Sequence, residues 1–414
     1  MLARPALVVL VLAALLAASP VTRAAQDVTP AAGDDRLDLA AMALDSSALP
    51  EGYRPAGEGY QTGEAFGRLV SAGGITPEEV EATGLRWFYE SRYAASANGT
   101  DRIRSYVEEY EDEAGARAGF ELLEDETRVE GAENLEDQPA PDVGEEPREK
   151  TIGTLTADQE TGAVDLQTVD ITFRVGSVIA GVAVETIGDT APDQDLAEDL
   201  AGQLAQRVEG VLDGDYPEGV DPETRTSLLP LDPTLRLEEG YLTVQEVLAA
   251  SPAEDVLADY VSGYARAVAL NPDMADEPWP LVTAALSTFN AADSALAVLD
   301  QADDLQPVFP QLERVDQLRV PGADAVVAYR FDSPLSGGDE VDSFRVLLVV
   351  EGQLATVDVQ AATSSEVAEE AALDLATQQA ACLATDEPCD QVSIPESLQT
   401  SDATPVASAE GSWG

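Results

Sequence analysis

Bases are scarce in this chain: lysine and arginine total 22 against 79 aspartates and glutamates. Even so, Arg86, Arg92, Arg102 and Arg104 fall close together, interleaved with Trp87, Phe88, Tyr89, Tyr93, Tyr106 and Tyr110. These residue types suit recognition: rings stack on flat or apolar groups, and guanidinium forks grip carboxylates in two places at once. A candidate binding face follows, made of Arg86, Trp87, Tyr89, Arg92, Tyr93, Arg102, Arg104 and Tyr106. Its ligand would be a glycan, a polysaccharide carboxylate or a partner protein. The competing reading is structural. Successive strand residues point to opposite faces, so half of these aromatics are expected in the core, and Glu90, Glu108 and Glu109 are available to pair with the arginines.

Histidine is absent. That excludes Ser-His-Asp and Cys-His catalysis, His-ligated zinc or haem, and histidine pH switching. With one lysine, Lys150, and no Gly-Lys pair there is no P-loop, and neither G-x-S-x-G nor S-x-x-K occurs. The segment GEGYQTG (57–63) has the wrong glycine spacing, and no predicted strand before it, for a dinucleotide loop. Asp213, Asp215, Glu218 and Asp221 lie close in sequence, but Pro217 stands where an EF-hand loop needs its third ligand, so a solvated linker is the better reading. No cofactor and no metal site is expected. The remaining route to catalysis is a pair of carboxylates acting on a glycan, which needs no histidine; that is the alternative to a binding role.

Cys382 and Cys389 are the only cysteines and flank the end of a helical segment. Their spacing is not that of a C-x-x-C redox pair, and zinc would need further Cys or His ligands, so a structural disulfide is expected. A loop this short gives about 2–3 kcal/mol on the chain-entropy estimate.

The elements that carry these residues are best seen in a stretch that occurs twice. DITFRVGSVIAGVAVE (170–185) reads as strand, turn, strand, followed by DLAEDLAGQLAQRVEGVL (195–212) with Leu196, Leu200, Leu204, Val208 and Val211 at helical spacing. SFRVLLVVEGQLATVDVQ (343–360) and VAEEAALDLATQQAACL (367–383) repeat both, with Val367, Ala371, Leu375 and Cys382 on the helical stripe. Upstream, Asn98-Gly99 between two β-prone runs predicts a hairpin with strands near 86–95 and 102–111. The run 124–149, acidic and proline-containing, reads as a long solvated loop. In the second copy Phe289 matches Tyr110 and Leu299 matches Phe120. Across the central turn the offset between copies is 175 or 176, depending on which valines are matched.

The expected fold class is therefore α+β: two tandem homologous domains, each an antiparallel sheet covered on one face by amphipathic helices. Residues 1–24 (a basic start, an apolar run, then Thr22-Arg23-Ala24) fit a secretory signal cleaved near Ala24, with an uncleaved anchor as the alternative. The expected divisions are a flexible leader over 25–48, domain 1 over 49–213, a linker over 214–239, domain 2 over 240–389 and a disordered tail over 390–414.

A net charge of −57 repels nucleic acid and anionic membranes and permits weak, nonspecific cation binding. A saline habitat and a cation-binding role are both compatible with it. The sequence reading is thus a secreted, acidic binding or envelope-interaction protein, its partner a protein or glycan and not nucleic acid, without stable membrane insertion once the signal is gone.

Overall fold

The computed structural model describes residues 36–70, 75–95, 101–124, 132–159, 162–188, 190–231, 236–243, 259–269, 281–302, 312–334, 340–361, 365–385, 389, 392–395 and 398. The signal segment and the Asn98-Gly99 turn lie outside them.

Two seven-stranded antiparallel sheets are seen among the described residues. The first holds β1 (Tyr53–Thr62), β2 (Leu85–Ala95), β3 (Asp101–Tyr110), β4 (Ala132–Gln138), β5 (Arg148–Gln159), β6 (Gly162–Val175) and β7 (Val178–Ile187) in the order β1-β2-β3-β7-β6-β5-β4. The second holds β8 (Arg236–Tyr241), β9 (Tyr260–Ala269), β10 (Leu281–Phe289), β11 (Glu313–Arg314), β12 (Ala325–Pro334), β13 (Glu340–Val350) and β14 (Gln353–Ala361) in the order β8-β9-β10-β14-β13-β12-β11. Replacing each strand by its counterpart seven places later turns one order into the other. Register agrees residue by residue: Arg92 faces Arg104 as Ala267 faces Thr283, and Asp170 faces Ala183 as Arg345 faces Asp358. The central turn is settled at an offset of 175, since Val175 pairs with Val178 and Val350 with Gln353. The chain is α+β with a sheet in each half.

Helices α1 (Leu39–Met42), α2 (Gly63–Val70), α3 (Pro77–Ala82), α4 (Glu113–Glu124) and α5 (Gln194–Asp213) belong to the first half. In the second are α6 (Pro222–Ser227), α7 (Ala292–Ala302) and α8 (Ser365–Leu383). α5 starts at Asp193, whose side chain caps Leu196 N, and stops at Gly214, left-handed with φ 85°. Its buried stripe of Leu200, Leu204, Val208 and Val211 lies on β6 and β7, each large apolar side chain worth about 1.5–3 kcal/mol of burial. α8 lies on β13 and β14 in the same way. On the opposite faces the shorter helices close part of each sheet: Tyr110, Ala116, Phe120 and Ile179 form one small core, and Ala295, Leu299 and Val349 another. α3 opens with a capping box, Thr76 and Glu79 each bonding the other's backbone N–H.

Four expectations need correction. The acidic run 124–149 is not all loop: it contains β4, the outermost strand of its sheet, and the start of β5. An edge strand is paired on one side only and tolerates charge, so apolar alternation gives it little signature. The leader is not flexible as far as residue 48. Leu39, Ala41, Met42 and Leu44 are essentially fully buried, and α1 packs on β2, β3, β8 and α5. Read as sequence, DLAAMALD is too short and too rich in alanine to show its burial; only tertiary packing gives it partners. The linker likewise contains α6, capped by Asp221, and the buried Leu228, Leu229 and Leu231. Even the tail contributes Leu398 to the main core.

Cys382 and Cys389 form the expected disulfide. Cys389 N donates to Thr226 O, so the bridge ties the end of α8 to α6.

Candidate binding face

Strand alternation divides the eight residues expected to share one face. Trp87, Tyr89 and Tyr93 point to the side covered by α1 and α5, where Tyr89 and Tyr93 are 2 % and 4 % exposed and Trp87 is half-buried. Tyr93 donates to Leu44 O, holding the leader down. Arg86 sits at the β-bulge between Leu85 and Trp87 and pairs with the buried Glu109 at 2.9 Å. An aromatic stacking platform is therefore not present on this hairpin: the rings that alternate with the arginines are core residues, as the pleat dictates.

Arg92, Arg102, Arg104 and Tyr106 do come together, on the outer face. Arg92 and Arg104 are direct cross-strand partners, and Arg102 lies two positions along from Arg104. Arg92 Nε lies 3.0 Å from Glu90 Oε1. Arg104 is central: Nη1 is 3.7 Å from Glu90, Nη2 is 3.7 Å from Asp170 and Nε is 3.8 Å from Glu185. All three contacts exceed hydrogen-bond length, and Arg104 Nε, shielded from solvent, has no hydrogen-bond partner. Burial lowers the affinity of Arg104 for its proton, but the carboxylates of Glu185, Glu90 and Asp170 outweigh it and hold the proton more tightly than usual. Burial raises the Glu185 carboxyl above its ordinary pKa, Asp170 and Glu90 add to the shift, and Arg104 and Arg102 oppose it. The Tyr106 ring lies across Gly181, where even a Cβ would clash, and its hydroxyl bonds Asp170 and Thr172. Lys150 occupies the strand position opposite Asp170. The outer face thus carries a row of mixed charge across several strands, Arg92 beside Arg104 and Asp170 beside Lys150.

A second cluster escaped sequence reasoning. It lies where β1 and β8, an edge of each sheet, pack against one another. Tyr89 OH donates to Glu58 Oε2 at 3.1 Å, and Tyr264 OH to Glu239 Oε1 at 2.8 Å. Tyr60 meets Tyr89 edge-on with ring centroids 4.8 Å apart; Tyr241 meets Tyr264 at 4.7 Å. Glu239 also accepts from Arg266 Nε at 2.8 Å and lies 3.4 Å from Arg36. The Arg36 guanidinium sits 4.2 Å from the centre of the Tyr60 ring. Asp38 accepts from Tyr241 OH at 2.7 Å and lies 3.5 Å from Arg225. Burial raises the phenol pKa values of Tyr60, Tyr89, Tyr241 and Tyr264, and the neighbouring carboxylates push them further. The signal was present in the sequence: Glu58-Gly59-Tyr60-x-Thr62 recurs as Glu239-Gly240-Tyr241-x-Thr243. One copy lies in the segment set aside as a failed dinucleotide loop, and the other spans the expected boundary between linker and domain 2. A Cβ on Gly240 would lie 2.4 Å from Glu58 Oε1, so a larger residue there would displace the Glu58 carboxylate. Buried, and held by the ion pairs and tyrosine hydrogen bonds just described, this cluster forms a seam between the halves.

Among the described residues no group of three or more acids or cysteines is arranged to hold a metal ion. No helix among them is long and apolar enough to cross a membrane. Asp221, one of the four clustered acids, caps α6.

No protein-family model matches the chain, and no curated protein matches it. Among solved structures, the extracellular domain of PknH from Mycobacterium tuberculosis is similar at 13 % identity and a TM-score of 0.29, over 42 % of this chain and 95 % of that one. The di-domain ARO/CYC proteins BexL, from the BE-7585A biosynthetic pathway, and StfQ, from the steffimycin pathway, align at 11 % and 9 % identity. The BexL alignment has a TM-score of 0.12 and covers 79 % of this chain and 98 % of that one; for StfQ the values are 0.11, 72 % and 77 %. Similarity this low carries no argument about function.

Proposed function

We propose that this is an extracytoplasmic, non-catalytic binding protein whose ligand docks on the outer face of the first sheet, at Arg92, Arg102 and Arg104. The second half serves as the structural partner of the first. The observation that carries the reading is the Arg92–Arg104 pair, because the duplicated chain acts as its own control. Residues the architecture needs recur in both halves, as Tyr89 and Tyr264 do. At the positions of Arg92, Arg102 and Arg104 the second half has Ala267, Leu281 and Thr283. At these three positions the fold is built without cations, while Arg345 stands on the same face of the second half, paired with Asp358. Two like charges directly opposite each other across a strand pair cost stability, by about 0.2–1 kcal/mol; Glu90, Asp170 and Glu185 offset that cost here, so what sets the face apart is that the second half does without cations at these three positions. The disulfide suits an oxidising compartment, and the leader composition supports export.

A carboxylate-dependent hydrolase gains nothing from this face, since Glu90, Asp170 and Glu185 converge on a guanidinium and not on an open cleft. The test is thermal unfolding of the mature protein against a panel of glycans, amino acids, peptides and salts. Wild type is compared with Arg92→Ala/Arg104→Thr, which installs the residues of the second half. A compound that raises the wild-type midpoint saturably, by mass action on the folded state, and leaves the variant unmoved supports the reading. Compounds that shift both proteins equally would overturn it.

A further inference from the structure

The ionic make-up of the outer face narrows the ligand class, an argument that rests on the reading just given. Arg92, Arg102 and Arg104 are met there by Glu90, Asp170 and Glu185. These three positive and three negative groups, with Lys150 at the strand position opposite Asp170, form an island that displays both signs together in a chain whose net charge is −57. A net anion approaching the island is repelled by the rest of the molecule, and a net cation is attracted to nearly any part of the surface. A molecule with both charges and no net charge avoids the repulsion and gains its contacts only where both signs are displayed together.

The island is also under-bonded. A guanidinium carries five N–H donors, yet the three carboxylates around Arg104 stand 3.7–3.8 Å away and none accepts a hydrogen bond from it. Glu90 lies between Arg92 and Arg104, 3.0 Å from one and 3.7 Å from the other, marking where a carboxylate can bridge both. Asp170 and Glu185 lie beyond Arg104, placed to accept from an ammonium. Beside Arg104 the neighbouring strand presents the small Ala183, where the second half has Asp358.

We propose that this face binds a zwitterion of the amino-acid or short-peptide class, its carboxylate held by Arg92 and Arg104 and its ammonium by Asp170 and Glu185. Arg102 lies two residues from Arg104 on the same face and adds a third positive charge beside the carboxylate.

The experiment is isothermal titration of the mature protein with glycylglycine, with N-acetylglycine, which lacks the ammonium, and with glycinamide, which lacks the carboxylate. Proteins compared are wild type, Asp170→Asn and Arg92→Ala/Arg104→Thr, each checked for an unchanged far-ultraviolet spectrum. Glycylglycine is expected to bind wild type saturably and at least tenfold more tightly than either analogue. Asp170→Asn is expected to weaken glycylglycine and leave N-acetylglycine unchanged. Equal affinity for glycylglycine and N-acetylglycine, lost in the arginine variant, would leave the face as a simple anion site and sink the zwitterion while the face stands. Binding of glycylglycine that survives in the arginine variant would sink both. No binding of any of the three to wild type would overturn the zwitterion alone, the face then being judged by the wider panel.

Discussion

Tyr264 stands in β9 at the position Tyr89 holds in β2, and each donates its phenolic proton to the glutamate of an edge strand in its own sheet: Tyr264 to Glu239, Tyr89 to Glu58. The two arrangements differ in depth. Glu239 is 1 % exposed and gathers Tyr264, Arg266 and Arg36, whereas Glu58 is only half-buried. The duplicated motif has been elaborated on one side into a buried ionic core and left simpler on the other.

That asymmetry sets the first prediction. Glu239→Gln leaves Arg266 and Arg36 buried with a weaker acceptor, and breaking a buried ion pair costs about 3–5 kcal/mol. Glu58→Gln removes one more accessible acceptor and is expected to cost about 0.5–1.5 kcal/mol. Equilibrium urea unfolding of the two variants measures the difference. Equal losses would mean that the seam is not organised around Glu239.

The second concerns the leader. Leu39 and Met42 are at most 1 % exposed, packed between the sheets and α5. Leu39→Ala and Met42→Ala are each expected to lose about 2–5 kcal/mol, as for other large-to-small core substitutions. Removing residues 36–44 altogether is expected to prevent folding at 37 °C. An unchanged denaturation midpoint in either point variant would return the segment to the status of a mobile leader.

The third is a pH dependence. Burial, followed by nearby carboxylates, raises the phenol pKa values of Tyr60, Tyr89, Tyr241 and Tyr264 above the ordinary value of 10.0. Above about pH 10 the unfolded chain releases these protons and the folded chain retains them. The folded state then binds more protons, and stability falls as pH rises. Their contribution is complete below pH 10 and is lost on climbing towards the folded-state values. Tyrosinate absorbance and circular dichroism, followed together through alkaline titration, should show these phenols ionising in step with loss of structure. Smooth titration of all 11 tyrosines near their ordinary pKa, with secondary structure intact, would count against the carboxylate-linked seam.

Sequence reached the fold through its longest periodic elements. The Leu200–Val211 stripe, the paired strands that follow Asp170 and Ser343, and the capping box at Thr76 were legible because period and cap chemistry are local. β4 was hidden by its acidity, and α1 by its length. The hairpin shows a subtler limit. Composition gathered eight residues into one face, and the pleat sorted them onto two, leaving three arginines and Tyr106 on the outside. Strand alternation predicted that sorting in outline; which side faced solvent depended on where α1 and α5 packed. The seam was written in the repeated Glu-Gly-Tyr-x-Thr, but five residues carry meaning only once two distant strands are known to touch.

The contact between β1 and β8 also bears on behaviour in crowded solution. A terminal strand leaves a ladder of backbone donors and acceptors that a second molecule can continue, which is how sheets grow into fibrils. Here two such ladders lie against each other, screened by buried tyrosines and ion pairs. Cleavage between the halves, or loss of the Glu239 core, would present each sheet with an open template. The same seam that joins the two copies is thereby a guard against polymerisation, and a weakened seam should reveal itself first as turbidity at high salt, where the protein's own negative charge no longer keeps molecules apart.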